Sequence, residues 1–288
     1  MSQETVVYLN DRFVDYGEAH VPVLDRGYIF GDGVYEVIRD YGCGLFRMRE
    51  HLERLERSAQ AVEIPLPCSI PEMESIIEEA VRRYARPVSQ VYVQLTRGVA
   101  GRTHRFPPSG TAPTLLIMVY DPPVIPSEFY EGGAKVITVP DIRWLRCDIK
   151  SINLLPNVLA KEKAARAGAF EAIFVREDGR VTEGSSSNVF LVDDSCKIIT
   201  APATNLILGG ITRAAVIECA LEAGYELEQR FPSLDELYSS REVFFTCSSS
   251  RVMPVTCVDS RTIGDGKPGP VTRDLMKRYD ALCRNGKP

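Results

Sequence analysis

Lys150 and Glu183 are the two residues of this sequence whose types and surroundings best fit a defined chemistry. Lys150 follows Ile149 and precedes the largely apolar run 151–155, and burial among apolar side chains makes the neutral, nucleophilic form of a lysine accessible. Glu183 precedes a glycine and three serines, so it can face a polar pocket. Pyridoxal phosphate chemistry needs both groups, because a lysine forms the Schiff base and a carboxylate keeps the pyridine nitrogen protonated. Taken alone, each has a simpler interpretation: a solvated lysine at a strand end, and an acid in a turn.

Two further segments have the composition of phosphate-binding sites. In residues 205–213, Gly209 and Gly210 allow close backbone approach and Thr212 is the expected N-cap of a helix, whose free N–H groups bind phosphate well. In residues 246–250, three serines follow a predicted strand, and their hydroxyls can bind phosphate oxygens. A plain capped helix and a polar loop remain the alternatives for these two segments.

A basic loop, residues 97–106, stands out in an acidic protein. It contains three arginines and one of the three histidines, with Gly98 and Gly101 between them. An arginine can donate two parallel hydrogen bonds to a carboxylate, and a histidine can add a third. The loop is therefore a candidate carboxylate site, with a solvated surface loop as the alternative.

Composition and charge exclude several classes of function. The 288 residues are 44% hydrophobic and 25% charged, and the formal net charge is −5, which argues against nucleic acid or an acidic membrane as the main partner. The polar N-terminus lacks the regions of a signal peptide, and no apolar stretch reaches the length of a membrane span. The eight cysteines form no CxxC pair, so we expect no metal site and free thiols in a reducing cytoplasm.

The elements that must position these residues follow from the periodicity of apolar side chains. In the first 120 residues, the predicted helices are 48–62 and 73–84, and the predicted strands are 91–96 and 114–120. The second half is predicted to contain a strand at 135–140, a helix at 157–167, a strand at 171–176, a helix after Thr212, a strand at 243–246 and a helix at 272–283.

The segment 121–126 has three prolines and cannot continue a helix or a central strand. We therefore expect it to link an N-terminal domain, residues 1–120, to a C-terminal domain, residues 127–288.

Several runs match one family in the right order over nearly the full length. They are residues 25–37, 50–55, 96–98, 102–104, 141–151, 182–188 and 210–213. With these runs the chain resembles the class IV (fold-type IV) pyridoxal phosphate aminotransferases, and within that class it is similar to the bacterial D-amino-acid aminotransferases. The resemblance implies an α/β (α+β) fold of two domains, a small N-terminal α/β domain and a larger C-terminal pseudo-barrel domain that binds the cofactor.

The resemblance also implies which residues hold pyridoxal 5'-phosphate. Lys150 would form the Schiff base and move the proton, Glu183 would bond the pyridine nitrogen, and Arg54 would hold the phosphate from the polar side of the helix 48–62. The full implied set is Lys150, Glu183, Arg54, Ile211, Thr212, Ser248 and Ser249. His20 and His51 lie outside these roles and are expected not to be catalytic.

Tyr35, Arg102 and His104 would bind the substrate carboxylate. In the family the Arg-x-His loop reaches the active site of the partner subunit, so the resemblance implies a homodimer with a shared site. Because the Cα–H bond must face Lys150, the position of the carboxylate selects the hand of the substrate, and Arg102 with His104 favours D-amino acids.

The implied reaction is the transfer of an amino group from D-alanine to 2-oxoglutarate in a bacterial cytoplasm. The alternatives are an L-branched-chain aminotransferase, an aminodeoxychorismate-type lyase, and a non-catalytic carrier of the cofactor.

Overall fold

The computed structural model describes residues 5–285 and divides into two compact units. The first unit runs to Pro123 and includes the segment Ile149–Asn153; the second contains Val124–Asp148 and Leu154–Asn285. The boundary between the two units, after Pro123, lies within the proline-rich segment 121–126. Residues 1–4 and 286–288, at the outer ends of the two expected domains, lie outside the described residues.

The segment Ile149–Asn153 departs from the expectation of one continuous C-terminal domain. Its backbone pairs with a strand of the first unit, since Tyr35 N donates to Lys150 O at 3.0 Å and Ile152 N donates to Gly33 O at 3.0 Å. Lys150 therefore belongs to the first unit by its main-chain hydrogen bonds.

The first unit is built on an antiparallel sheet of five strands in the order β2-β1-β5-β4-β3. The strands are β1 (Val6–Leu9), β2 (Arg12–Val14), β3 (Gly33–Arg39), β4 (Gln90–Thr96) and β5 (Thr114–Tyr120). The helices are α1 (Arg26–Phe30), α2 (Met48–Ala61) and α3 (Ile70–Tyr84). The predictions for α2, α3, β4 and β5 are confirmed to within a few residues at each end.

Amphipathic helices cover one face of this sheet. Leu52 and Leu55 of α2 and Ile77 of α3 are fully buried in one core with the strand residues Val93 and Ile117. A capping box starts α3, in which Glu72 N donates to Ser69 Oγ and Ser69 N donates to the Glu72 carboxylate.

The second unit contains a mixed sheet of nine strands in the order β11-β10-β9-β12-β13-β6-β7-β8, with β14 beside β13. The strands are β6 (Ala134–Pro140), β7 (Glu171–Val175), β8 (Val181–Gly184), β9 (Asn188–Val192), β10 (Ile198–Thr200), β11 (Leu227–Gln229), β12 (Glu242–Cys247), β13 (Arg251–Val258) and β14 (Arg261–Thr262). The helices are α4 (Ser127–Gly132), α5 (Leu155–Arg166), α6 (Ile211–Glu222), α7 (Leu234–Ser239) and α8 (Pro270–Asn285).

Parallel and antiparallel pairing both occur in this sheet: β6 is parallel to β7 and to β13, whereas β9 is antiparallel to β10 and β12. The central strand β9 is buried along its whole length, as expected for a strand covered on both faces. The predicted α/β architecture is confirmed. Among the described residues, no helix combines the length and the apolar character that crossing a membrane requires.

Candidate active site

Lys150 is fixed through its backbone by α2 and β3. Lys150 N donates to Ser58 Oγ of α2 at 3.2 Å, and its carbonyl accepts from Tyr35 of β3. Ile149 is buried in the core of the first unit, so the chain on the N-terminal side of the lysine is anchored by packing. The amine Nζ lies 4.2 Å from the centroid of the Tyr35 ring. The amine of Lys150 is therefore carried on a rigid backbone, and the side chain supplies its freedom of movement.

Arg54 is buried and held by a glutamate. Its Nε donates to Glu36 Oε1 at 2.7 Å and its Nη2 donates to Glu36 Oε2 at 2.9 Å. The helical spacing placed Arg54 on the polar side of α2, and this prediction is wrong, because the buried side of the helix also includes His51, Arg54 and Ser58. The partner that permits this burial, Glu36, comes from β3.

Glu36 is fully buried and ionised. Burial alone would raise the pKa of Glu36, but the charge of Arg54 and the hydrogen bonds from Arg54 and His51 outweigh it and hold that pKa far below its usual range. His51 Nδ1 lies 2.7 Å from Glu36 Oε2, and an ionised carboxylate can only accept, so Nδ1 carries the proton. Burial lowers the pKa of His51 although Glu36 opposes the shift. His51 thus acts as a neutral donor that orients the partner of Arg54.

The predicted carboxylate-binding residues lie on two separate parts of the first unit. Tyr35 lies on β3, while Arg102 and His104 are exposed on the loop after β4. The Arg102 guanidinium carbon is 5.6 Å from the centroid of the Phe30 ring, and the His104 ring centroid is 5.6 Å from the same point. The structure therefore places Arg102 and His104 each next to the same aromatic ring, that of Phe30. Among residues 5–285, no hydrogen bond or ring contact joins either of them to Tyr35.

In the second unit, Glu183 of β8 is buried within a network of donors. Arg143 Nη1 donates a very short hydrogen bond to Oε1, while Asn188 Nδ2 and Leu208 N donate to Oε2 at 3.1 and 3.0 Å. Burial is the largest influence on Glu183 and raises its pKa above the usual range, although Arg143 opposes it. A carboxylate whose two oxygens both accept hydrogen bonds has a fixed orientation.

Arg143 is in turn held by a second carboxylate. Its Nε and Nη2 donate to the two oxygens of Asp141, each at 2.9 Å, and Arg176 Nε lies 3.1 Å from Asp141 Oδ2. Burial alone would lower the pKa of Arg143, but Asp141 and Glu183 outweigh it, so the guanidinium stays charged. Asp141 and Arg143 are not among the residues predicted from the sequence to have a role. The available signal was two charged residues of alternating sign within the matched run 141–151.

The helix α6 begins at Ile211 with Gly210 as its N-cap. The prediction of Thr212 as the N-cap is wrong, because Ala214 N already donates to Gly210 O, which places Thr212 in the first turn. A Cβ on Gly210 would lie 2.1 Å from Asn188 Oδ1, so only glycine fits this close approach. The first N–H groups of a helix have no partner within it, and those of Ile211 and Thr212 are of this kind. The start of α6 therefore has the geometry of a phosphate site.

Ser248 and Ser249 lie in the turn between β12 and β13. Cys247 Sγ, at the end of β12, lies 3.2 Å from Ser249 Oγ and 2.8 Å from Ser250 Oγ. Both predicted serines are partly buried, and the cysteine shapes the turn that carries them. Among the described residues, no cluster of three or more histidine, cysteine, aspartate or glutamate side chains could hold a metal ion.

Comparison with known proteins identifies the family. The family model for amino-transferase class IV matches residues 33–258. The chain belongs to the class IV aminotransferases. A D-alanine aminotransferase of Bacillus licheniformis is 45% identical over 271 residues, covering 94% of each chain, and one of Staphylococcus haemolyticus is 41% identical over 278 residues, covering 96% of this chain and 97% of the relative. The family predicted from the motifs is confirmed.

Solved structures of the class share this fold. A branched-chain amino acid aminotransferase of Escherichia coli superposes with a TM-score of 0.91 at 28% identity, covering 98% of this chain and 96% of its own. A branched-chain amino acid aminotransferase from T.th., solved with pyridoxamine 5'-phosphate, gives a TM-score of 0.90 at 31% identity, covering 98% of this chain and 95% of its own. The fold-type IV architecture predicted for this class IV aminotransferase is therefore confirmed.

Proposed function

We propose that this class IV aminotransferase uses pyridoxal 5'-phosphate to transfer the amino group of a D-amino acid to a 2-oxo acid. D-Alanine and 2-oxoglutarate are the proposed substrates, and pyruvate and D-glutamate are the products. The observation that carries the proposal is the placement of Arg102 and His104 beside the same ring, that of Phe30, where each offers donors for a carboxylate. The D-alanine aminotransferases at 45% and 41% identity support it.

The residues present fit the cofactor in charge and in hydrogen bonding. The start of α6 offers unpaired N–H groups for a phosphate, and the buried Glu183 offers a carboxylate with a raised pKa for a pyridine nitrogen. When bound, pyridoxal phosphate supplies a ring that accepts electrons from the Cα of an amino acid. The residues proposed to hold it are Lys150, Glu183, Arg54, Ile211, Thr212, Ser248 and Ser249.

Lys150 is the proposed catalytic residue. Its Nζ takes the proton from Cα of the bound amino acid and later returns a proton to complete the transfer. The face of the Tyr35 ring, 4.2 Å from Nζ, stabilises the protonated form of the amine between these two steps. The anchored backbone of Lys150 keeps the amine on one side of the substrate.

The position of the residues that bind the substrate carboxylate, here called the carboxylate trap (Tyr35, Arg102 and His104), determines whether the D or the L enantiomer is used. The Cα–H bond that breaks must face Lys150, and one further position at Cα is fixed by whatever binds the carboxylate. With those two directions set, exchanging carboxylate and side chain exchanges D for L. Tyr35, Arg102 and His104 are proposed to bind the carboxylate and thereby to select D-amino acids.

The enzyme is proposed to act as a homodimer in which the loop of residues 97–106 serves the site of the other subunit. Arg102 and His104 are exposed in the single chain, and so are the large apolar side chains of Phe106 in the loop and of Val23 and Tyr28 beside it. Exposed apolar side chains around a binding loop are typical of a surface that a partner covers.

Enzyme assays with both enantiomers test the reaction. Each of D-alanine, L-alanine and L-leucine is supplied with 2-oxoglutarate, and the visible absorption spectrum is recorded with and without the amino acid. We expect turnover of D-alanine and conversion of the bound aldehyde to the amine form.

Turnover of L-leucine alone would favour the branched-chain rival, which the solved structures of similar fold make the first alternative. Pyruvate release without consumption of a 2-oxo acid would indicate a lyase, and an unchanged spectrum would indicate a carrier. A supply of D-alanine and D-glutamate for cell-wall synthesis suggests a bacterial cytoplasm as the location.

A further inference from the structure

We propose that Arg26 is a positioning residue for the carboxylate-binding loop, an inference that rests on the function proposed above for Arg102 and His104. The Arg26 guanidinium donates from Nη1 to Thr103 O at 2.7 Å and to Arg105 O at 3.4 Å. These two carbonyls belong to the residues on either side of His104. Arg26 therefore fixes the backbone that carries the histidine of the trap.

The direction of the Arg26 guanidinium is set by Asp32. Arg26 is only 3% exposed, and its Nε donates to Asp32 Oδ2 at 2.8 Å. Arg97 donates to the same carboxylate at 2.8 and 3.0 Å. Burial of a guanidinium is costly unless it is paired, and the paired arrangement leaves it little freedom to turn. Burial alone would raise the pKa of Asp32, but the hydrogen bonds and charges of Arg97 and Arg26 outweigh it and hold that pKa below its usual range, so the carboxylate is charged.

The same carboxylate ties both ends of the loop to the body of the first unit. Arg97, at the start of the loop, also donates to Val62 O at 2.6 Å and Glu63 O at 2.8 Å just after α2. Its guanidinium carbon lies 3.7 Å from the centroid of the Phe106 ring at the end of the loop. Asp32 thus accepts hydrogen bonds from both arginines: Arg97, which contacts both ends of the loop, and Arg26, which binds the backbone on either side of His104.

A shared aromatic ring connects Arg26 directly with the trap. The Arg26 guanidinium carbon is 4.8 Å from the centroid of Phe30, the ring that Arg102 and His104 also approach. A change in the position of Arg26 consequently disturbs the backbone beside His104 and the surface on which both trap residues lie.

The substitution that tests this role is Arg26→Lys, because it keeps the positive charge beside Asp32. A lysine donates from one nitrogen only, so it cannot reach Asp32 and the loop carbonyls at once in the fork geometry of a guanidinium. Loss of hydrogen bonds from a charged donor predicts that the KM for D-alanine rises about tenfold with kcat little changed. Arg166→Lys, at an exposed site of α5, is the control for the type of substitution.

Two measurements on the intact enzyme test this inference. Hydrogen–deuterium exchange of peptides covering residues 97–106 reports the order of the loop without any substrate. Steady-state kinetics with D-alanine report the effect on binding. We expect faster exchange and a raised KM in Arg26→Lys and neither change in Arg166→Lys. Unchanged exchange, or faster exchange with an unchanged KM, would overturn the inference. If Arg26→Lys does not fold, Arg26→Gln is used, because Asp32 then keeps Arg97 as its partner.

A combined variant separates positioning from a general loss of stability. In an Arg102→Ala background, Arg26→Lys should lower kcat/KM for D-alanine much less than it does in the wild type, because its effect passes through the trap. Equal losses in both backgrounds would indicate a merely structural role and sink the inference. A wild type that turns over no D-amino acid would overturn the proposed function, while the exchange measurement would still decide whether Arg26 orders the loop.

Discussion

Arg143 and Glu183 form a buried ion pair in which the guanidinium also donates to both oxygens of Asp141. One arginine thus lies between two carboxylates. Because burial raises the pKa of Glu183 and Arg143 opposes that rise, the arginine sets how far the carboxylate departs from its ordinary pKa. The same arginine fixes the rotation of the carboxylate through Oε1, while Asn188 and Leu208 fix Oε2.

Replacing Arg143 should lower the rate of catalysis at neutral pH. Arg143→Gln removes the positive charge, so the pKa of Glu183 should rise further. Loss of a charged hydrogen bond of this kind predicts a kcat for D-alanine lower by about 10- to 100-fold. The measurement is kcat across pH, with the absorption spectrum of the bound cofactor recorded alongside.

Arg146→Gln is the matched control for this prediction, because Arg146 is exposed in the same segment and pairs with Asp148. Equal activities of the two variants would contradict the role assigned to Arg143.

The buried group Glu36, His51 and Arg54 should make the enzyme sensitive to acid. The folded-state pKa of Glu36 is depressed, so its stabilisation is present above the ordinary glutamate pKa of about 4.3 and is lost as the pH falls below it. The pKa of His51 is also depressed, so its contribution is lost as the pH falls below about 6.5. Both shifts have the same sign, and the free energy of unfolding should therefore decrease from neutral pH toward pH 4.

Glu36→Gln tests this pH dependence by denaturant titration at several pH values. Removing one partner of a buried ion pair predicts a loss of about 3–5 kcal/mol at pH 7 and a shallower dependence on pH. Glu79→Gln, which removes an exposed pair with Arg83, should change both quantities little. A variant of Glu36 with the pH dependence of the wild type would refute the assignment.

The sequence predicted those helices and strands whose formation depends mainly on neighbouring residues. The helices α2 and α3 follow from apolar spacing alone, and their bounds were correct to within a few residues. Arg54 was misplaced because the carboxylate that holds it is 18 positions away on β3. Likewise, the pairing of Ile149–Asn153 with β3 joins residues more than a hundred positions apart, which no local periodicity reveals.

Candidate residues for the chemistry came from ordered motifs rather than from periodicity. Lys150 and Glu183 were singled out by residue type and neighbours, but the supporting network of Asp141 and Arg143 was not. The sequence alone does not show which charged residues are buried and therefore paired with each other; this requires the structure. The prediction of Thr212 as the N-cap of α6 was wrong because the requirement for Gly210 depends on its close contact with Asn188, a residue of the strand β9.

The two adjacent glycines before α6 should respond differently to the same substitution. In Gly210→Ala the new Cβ would lie 2.1 Å from Asn188 Oδ1, and Asn188 also donates to Glu183. In Gly209→Ala the nearest atom, the Cβ of Ala203, would be 3.9 Å away. We therefore expect Gly210→Ala to weaken cofactor binding about tenfold or more and to lower the melting temperature, and Gly209→Ala to do neither.

Titration of each apoenzyme with pyridoxal phosphate, followed by absorbance, measures this difference. Calorimetry of the unliganded forms then separates the effect on folding from the effect on binding. Similar affinities for the two variants would show that the close approach at Gly210 does not matter for the cofactor.

The proposed sharing of the active site between subunits predicts complementation by inactive variants. One parent carries Lys150→Ala and keeps its loop intact; the other carries Arg102→Ala with His104→Ala and keeps its lysine. If the loop acts on the partner's site, each mixed dimer has one site with an intact lysine and an intact trap. Random reassociation of equal amounts should then restore about a quarter of the wild-type activity.

The outcome differs sharply if the trap serves the site of its own chain. Every site in a mixed dimer would then lack either the lysine or the trap, and the mixture would show only the summed activity of the parents. The parents are unfolded and refolded together and separately, and D-alanine turnover is compared per mole of subunit. Because Arg102 and His104 lie on an exposed loop of the first unit, their removal leaves the buried cores of both units intact, so a lack of recovery would be evidence against sharing rather than a failure to fold.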